Sequence, residues 1–129
     1  MQYREAMADL VIYHNPNCST SRYAVDEADN QGASYDVVKY LLKAENPTRE
    51  QLEALIGQLD DPVTDLIRRD ATFKSLELSE DDVQTNEQVI ELLLEHPKLL
   101  QRPILVANGR AIIGRPKDRV PEFIQAAQG

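Results

Sequence analysis

Apolar residues along the chain fall into short runs that turn-forming residues separate. Residues 10–13 form a β-branched and aromatic run just before Asn15 and Pro16, which predicts a buried strand followed by a loop. A helix is predicted from residue 19 or 20 to residue 30, because hydroxyl residues suit its first turn and Gly32 follows its end. A second strand is predicted over residues 34–40. This part of the chain therefore predicts a β-α-β unit.

The middle of the chain contains two helix starts of the same design. Thr48 with Gln51, and Thr85 with Gln88, each fit a capping box, in which the first residue caps the helix and the fourth reaches back. Apolar residues behind the first cap recur at helical spacing and predict one buried face. Behind the second cap they lie on nearly all sides, which predicts a more deeply buried helix. A further short helix is expected over about residues 63–69.

The end of the chain predicts a hairpin and a final helix. Two apolar runs, residues 104–106 and 111–113, flank Asn108-Gly109, the dipeptide that suits a type I′ turn. Residues 117–127 can form the last helix. The element order predicts an α/β fold in which helices pack on one mixed sheet. A single domain is expected over residues 9–129, with residues 1–8 as a flexible leader.

Composition narrows the class of protein. A chain of 129 residues with 42% apolar residues can bury a core of its own. The net charge of -8 disfavours a general nucleic-acid binder. No apolar run approaches the roughly 18 residues that a membrane span needs. One cysteine cannot form an internal disulfide, so a cytoplasmic protein is expected. A monomer is also expected.

The charges are unevenly distributed along the chain. Residues 44–95 contain fourteen acidic and four basic residues, whereas residues 96–120 contain six basic residues and one acidic residue. Such a basic segment in an acidic chain offers one place to hold an anion, and ordinary solvated surface is the alternative. The solvated interpretation is favoured for Arg110, Lys117 and Arg119.

The lone thiol of Cys18 is the best candidate for chemistry. It lies at the predicted start of a helix, where unpaired backbone N–H groups favour an anion and can cradle an oxyanion. A free thiol has a pKa near 8.5, so a nucleophile needs local activation, which His14 and Arg22 could supply. The alternative is a small buried hydrophobic residue. The polar residues that follow it favour a site and are expected to bind the substrate: Ser19, Thr20, Ser21 and Arg22.

Other kinds of site have little support in the sequence. There is no second cysteine for a redox pair or a zinc cluster, and the two histidines, His14 and His96, are far apart. No glycine-rich phosphate loop is present. Neither a metal nor a bound cofactor is expected, so the thiol would work with a reactant from solution.

Four motifs carry a resemblance to a known family. In order they are His14-Asn15-Pro16-x-Cys18-x-x-Ser21-Arg22, Leu66-Ile67-Arg68, His96-Pro97 through Arg102-Pro103-Ile104, and Gly114-Arg115-Pro116. Over residues 9–124 the chain resembles the glutaredoxin-coupled arsenate reductases, in a short, ArsC-like form. The resemblance implies a thioredoxin-like fold, with a mixed four-stranded sheet and a helical insertion, and a cis-proline at Pro103.

The resemblance also implies roles for individual residues. Cys18 would be the nucleophile, with Arg68, Arg102 and Arg115 around the bound oxyanion, because forked guanidinium groups match its tetrahedral oxygens. Arg69 is expected to point elsewhere. Because the chain offers no second thiol, glutathione would serve as co-substrate and glutaredoxin as partner.

Three other functions stay open from the sequence. The first is a short relative that keeps the oxyanion site but acts on another substrate. The second is a thiol-transferase-like protein that binds glutathione. The third is a redox-sensing regulator of RNA polymerase, which would need a Cys-x-x-Cys switch where this chain has Ser21.

Overall fold

A four-stranded mixed sheet lies at the centre of the fold. The computed structural model describes residues 9–128. The strands are β1 (Leu10–Tyr13), β2 (Tyr35–Val38), β3 (Ile104–Ala107) and β4 (Arg110–Ile113), in the order β2-β1-β3-β4. β1 and β2 are parallel, with Leu10 opposite Tyr35, and the other two pairings are antiparallel. The expected mixed α/β sheet is confirmed.

Helices cover both faces of the sheet. They are α1 (Ser19–Asn30), α2 (Arg49–Gln58), α3 (Ala71–Ser75), α4 (Asn86–Glu95) and α5 (Arg119–Gln128), and single 3-10 turns lie at Lys43–Glu45, Val63–Leu66, Glu80–Val83 and Pro97–Leu99. One core joins α1 and α5 to Leu10, Ile12 and Leu105 on the sheet. The other joins α2, α3 and α4 to Tyr13, Ile104 and Ile113. The segment between β2 and β3 is therefore a helical insertion that covers the second face.

The local signals in the sequence are confirmed by the structure. Thr48 and Thr85 each form a reciprocal capping box, with Gln51 and Gln88. Asn108 and Gly109 have φ values of 55° and 75°, as a type I′ hairpin turn requires. These features depend on residues close together in sequence, which is why the sequence alone predicted them.

The short helix expected over residues 63–69 is wrong beyond its first turn. A single 3-10 turn ends at Leu66, and Ile67 then forms an antiparallel bridge with Leu100. The N–H of Arg68 donates to the Leu99 carbonyl at 2.8 Å, and the N–H of Gln101 donates to the Leu66 carbonyl at 2.7 Å. Pairing with this distant segment satisfies the backbone groups that a longer helix would have used.

Smaller differences concern the ends and burial of elements. β2 is shorter than the predicted strand, and α4 is buried on one side only, because Leu94 is 37% exposed. α3 and the 3-10 turn before α4 were not predicted. The predicted leader, residues 1–8, lies outside the described residues.

Gly114 follows β4 at a close approach to Pro103. A Cβ atom placed there would lie 2.8 Å from Pro103 Cγ and 3.1 Å from Leu105 and Val120 side-chain atoms. Because a proline ring cannot swing aside, Gly114→Ala is expected to lower the free energy of unfolding by about 1–3 kcal/mol. Urea unfolding checks this. Gly57→Ala is the control, since no atom lies within 4 Å of its Cβ position, and equal effects of the two changes would contradict the packing argument.

Candidate active site

Cys18 lies in the loop that joins β1 to α1, at the N-cap of the helix. Its N–H donates to the Asn15 carbonyl at 3.0 Å, and its side chain makes no capping hydrogen bond. The side chain is nearly buried, with 8% exposed. The N–H groups of Ser21 and Thr20, in the first turn of the helix, act to lower the pKa of the thiol.

The pKa of the Cys18 thiol is lowered from its usual value. Burial, the largest single influence, raises this pKa, but the Arg102 side chain and the N–H groups of Ser21 and Thr20 together outweigh it. The Arg115 guanidinium donates to the sulfur from Nη2 at 3.5 Å. Two arginines and a helix start therefore favour the thiolate.

The two arginines are held by the ends of neighbouring strands. Arg102 comes just before β3 and Arg115 just after β4, and Ile104 pairs with Ile113 in the antiparallel register between them. Arg115 Nε donates to the Arg102 carbonyl at 2.8 Å. The Arg102–Pro103 and Arg115–Pro116 peptide bonds are both cis. The β3–β4 hairpin thus presents both guanidinium groups to Cys18.

Arg68 lies at the edge of this group and is paired with Asp70. Its Nη1 is 2.8 Å from Asp70 Oδ2, and it contributes to the electrostatic field at the Tyr40 phenol. Arg69 points to the other side, where it bonds Glu80 and Thr64. Arg69 was expected to point away from Arg68, and this orientation agrees with that expectation. The cause is the extended backbone after Leu66, and not a helix.

An ion pair that the sequence did not predict holds the segment around Arg115. Arg119 donates to Asp61 at 3.0 Å and also to the carbonyls of Ile113 and Arg115. Asp61 accepts in addition from the Ile113 N–H at 2.9 Å. The expectation that Arg119 is only solvated surface is therefore wrong. No local pattern could have revealed this pair, because its members are 58 residues apart.

His14 positions the loop and makes no hydrogen bond to the thiol within the described residues. Its Nδ1 lies 2.7 Å from Ser21 Oγ, and that hydroxyl also accepts from the Asn15 N–H at 2.9 Å. Burial, followed by Lys39 and Arg22, lowers the pKa of His14, so the ring is neutral at physiological pH. The hydroxyl of Ser21 is fully buried in this contact, and only its N–H acts on Cys18.

The remaining loop residues lie at the outer side of the site. Arg22 is exposed, and its Nη1 donates to the Pro16 carbonyl at 2.9 Å. The expectation that Arg22 helps to activate Cys18 stays a prediction. Ser19 is exposed and Thr20 is half-buried. Their predicted substrate contacts stay predictions.

Tyr40 is a component of the site that the sequence did not single out. It follows β2, is fully buried, and interacts electrostatically with Arg102, Arg68 and Cys18. Arg102 acts to lower the pKa of the Tyr40 phenol against the stronger effect of burial, but it makes no hydrogen bond to Oη. Tyr40 Oη and Arg102 Nε are accordingly the two buried side-chain polar atoms without a partner in the part of the chain that the structure describes.

Comparison with known proteins places the chain in a family. A model described as the ArsC family matches residues 13–123. The chain belongs to the ArsC family. It is 36% identical over 124 residues to an arsenate reductase of Escherichia coli, with 95% of this chain and 85% of that protein covered. It is also 36% identical over 115 residues to the uncharacterized protein YfgD of Escherichia coli K12, with 88% and 94% covered.

Solved structures of the ArsC family share the fold. An arsenate reductase from Vibrio cholerae matches with a TM-score of 0.76 and 39% identity, over 90% of this chain and 98% of that one. The thioredoxin-like fold expected from the resemblance is therefore confirmed, with its helical insertion between β2 and β3.

A cavity adjoins the ArsC-family site beside Arg115. Its volume is about 370 Å³, and it is lined by Asp61, Asp65, Ile67, Arg69, Gln101, Ile113, Arg115 and Arg119. Residues 9–128 contain no cluster of three or more His, Cys, Asp or Glu side chains that could hold a metal ion. In the same range no helix has the length and apolar character needed to cross a membrane.

Removing the Arg102 side chain should raise the pKa of Cys18. Arg102→Ala deletes the side chain that most strongly lowers this pKa, while burial continues to raise it. The pH midpoint of the iodoacetamide alkylation rate is expected to be lower in the wild type than for an unperturbed cysteine thiol, and to rise in the variant. Arg49→Ala, on the exposed side of α2, is the control. An unchanged midpoint in Arg102→Ala would show that Arg102 does not stabilise the thiolate.

Proposed function

We propose that this ArsC-family protein reduces arsenate to arsenite through a covalent adduct on Cys18. The observation that carries the proposal is the thiol itself, whose pKa is lowered and whose sulfur receives the guanidinium groups of Arg102 and Arg115. A nucleophile needs to be a thiolate, and an oxyanion needs charged, forked donors. The same groups supply both. The arsenate reductases of Escherichia coli and Vibrio cholerae support arsenate as the oxyanion.

The first step joins the Cys18 sulfur to arsenic. The thiolate attacks arsenate, the S–As bond forms, and one arsenate oxygen leaves with a proton as hydroxide or water. Arg102 and Arg115 neutralise the charge on the remaining oxygens, which removes the repulsion between two anions. Arg68 is the third predicted donor. It would have to share its guanidinium between Asp70 and the oxyanion.

The second step needs a thiol from another molecule. The sequence contains one cysteine, so the electrons that reduce arsenic cannot come from a second thiol of this chain. Glutathione attacks the Cys18 sulfur of the adduct, the S–As electron pair passes to arsenic, and arsenite leaves. Glutaredoxin then takes the glutathione from the mixed disulfide and restores the Cys18 thiolate.

The surroundings of the thiol support this cycle. The cavity beside Arg115, at about 370 Å³, falls in the size range of small-molecule sites, about 300–1,000 Å³. It is lined by Arg115 and not by Cys18, so it offers space beside one of the proposed oxyanion donors. Thiol exchange of this kind requires a reducing compartment, which agrees with the cytoplasmic location expected from the lone cysteine.

An assay of NADPH oxidation tests the proposed function. Arsenate is added to the protein with glutathione, glutaredoxin and glutathione reductase, and the decrease in NADPH absorbance is followed. Oxidation that requires arsenate, glutathione and glutaredoxin is expected. No NADPH oxidation with arsenate, together with oxidation of a mixed-disulfide substrate that needs this protein when glutaredoxin is left out, would contradict the proposal and favour a thiol-transferase.

A short relative with another substrate is the second candidate. It is favoured by the 36% identity to YfgD, a protein of similar length that is described as uncharacterized. Protection of Cys18 from alkylation by another tetrahedral oxyanion at lower concentration than arsenate would favour this candidate.

A further inference from the structure

Tyr40 lies beside the nucleophile because β1 and β2 are parallel. The carboxyl ends of parallel strands meet at one edge of a sheet, and the N–H of His14, just after β1, donates to the Val38 carbonyl at 2.9 Å. The loop with Cys18 and the segment with Tyr40 therefore leave the sheet side by side. Asn46 Nδ2 donates to the Tyr40 carbonyl at 2.8 Å and fixes this turn.

The buried Tyr40 hydroxyl lowers the free energy of unfolding of the protein. The side chain is fully buried, and Oη has no hydrogen-bond partner in the described part of the chain. A buried hydroxyl without a partner costs free energy, and almost all such groups in folded proteins are paired. Phenylalanine would fill the same space without that penalty. The hydroxyl therefore indicates a partner other than residues 9–128.

The position of the hydroxyl indicates what the partner is. Its electrostatic neighbours are Arg102, Arg68 and the Cys18 sulfur, the groups that surround the proposed oxyanion. Arg102 Nε, a donor by chemistry, is the other buried polar atom without a partner. Two unpaired donors beside cationic groups fit an anionic acceptor and not a second donor. Burial also raises the pKa of Tyr40, so the phenol keeps its proton at neutral pH.

We propose that the Tyr40 hydroxyl donates a hydrogen bond to an oxygen of the oxyanion bound at Cys18 and Arg102. The proposal rests on the oxyanion binding in the proposed function, but not on reduction of arsenic. The hydroxyl adds a neutral donor to the arginines, so it fixes the orientation of the oxyanion without adding charge. The oxyanion in turn provides the acceptor that the Tyr40 hydroxyl lacks among the described residues.

Tyr40→Phe and Tyr35→Phe form a matched pair for the test. Both remove one phenol oxygen near β2, but the Tyr35 hydroxyl donates to Asp29 in an exposed hydrogen bond. The rate of Cys18 alkylation by iodoacetamide is measured at increasing arsenate concentration, without glutathione, and expressed relative to the rate without arsenate. Half-maximal protection in Tyr40→Phe is expected to need about tenfold more arsenate or higher. Tyr35→Phe is expected to match the wild type.

Thermal unfolding separates this role from a structural one. Because the hydroxyl is unpaired in the free protein, Tyr40→Phe should leave the midpoint unchanged or raise it, whereas loss of a structural hydrogen bond would lower it. Equal protection in Tyr40→Phe and wild type would overturn the inference, as would a lack of protection in the wild type. If protection weakens as expected but no arsenite forms with glutathione and glutaredoxin, the inference stands and the proposed reduction fails.

Discussion

Cys18→Ser is expected to abolish arsenate-dependent oxidation of glutathione. The serine hydroxyl has nearly the same size as the thiol, but it is not ionised at neutral pH and cannot form a mixed disulfide with glutathione. Both steps of the proposed cycle are therefore lost, and a fall in turnover on the order of a thousandfold or more is expected. The NADPH assay measures the loss directly.

The fold should tolerate this change. The Cys18 side chain makes no capping hydrogen bond, and its surroundings are held by backbone contacts such as the N–H of Arg22 to the Cys18 carbonyl at 2.9 Å. Circular dichroism and the unfolding midpoint serve as controls. Wild-type protein alkylated at Cys18 provides an independent comparison. Turnover above about a tenth of the wild-type rate in Cys18→Ser would exclude a covalent role for the thiol.

Arg115→Ala is expected to produce the second largest loss. Its guanidinium contacts the Cys18 sulfur and is oriented by the Arg102 carbonyl, so the variant loses a charged donor at the position of the oxyanion. A hydrogen bond to a charged group contributes about 1.5–3 kcal/mol, which corresponds to roughly a 10- to 150-fold decrease in kcat/KM for arsenate. The initial rate at low arsenate concentration is the measurement.

Two further variants make the Arg115 experiment specific. Arg110→Ala removes an exposed arginine from β4 that pairs with Asp60, and it should change kcat/KM little. Arg115→Lys keeps the charge but loses the fork of donors, so only partial recovery is expected. Full activity in Arg115→Ala, or equal losses in Arg110→Ala and Arg115→Ala, would show that Arg115 does not bind the oxyanion.

The parts of the fold predicted from sequence are those with local causes. The capping boxes at Thr48 and Thr85, and the turn at Asn108-Gly109, depend on residues within four positions of each other. The helix predicted over residues 63–69 was wrong for the opposite reason. Its backbone pairs with residues near Leu99 and Leu100, about a quarter of the chain away, and such pairing has no local pattern.

The same distinction applies to the site. Cys18 could be predicted because a thiol at a helix start is a local signal, and the arginines followed from a family resemblance. Tyr40 was placed only as the end of a strand, since its burial and its nearness to Arg102 depend on three separate segments. The pair of Asp61 and Arg119 was not predicted because its two members belong to different parts of the fold. Asp61 lies in the helical insertion, and Arg119 begins the last helix, 58 residues later.

In the proposed function, the Cys18 thiolate and its arginines convert arsenate to arsenite. The most direct test is to incubate the protein with arsenate, glutathione and glutaredoxin and to separate As(III) from As(V) by chromatography. Arsenite that accumulates in proportion to protein concentration, and not with Cys18→Ser, is predicted. Arsenite formation at the same rate without the protein, or equally with Cys18→Ser, would contradict the account.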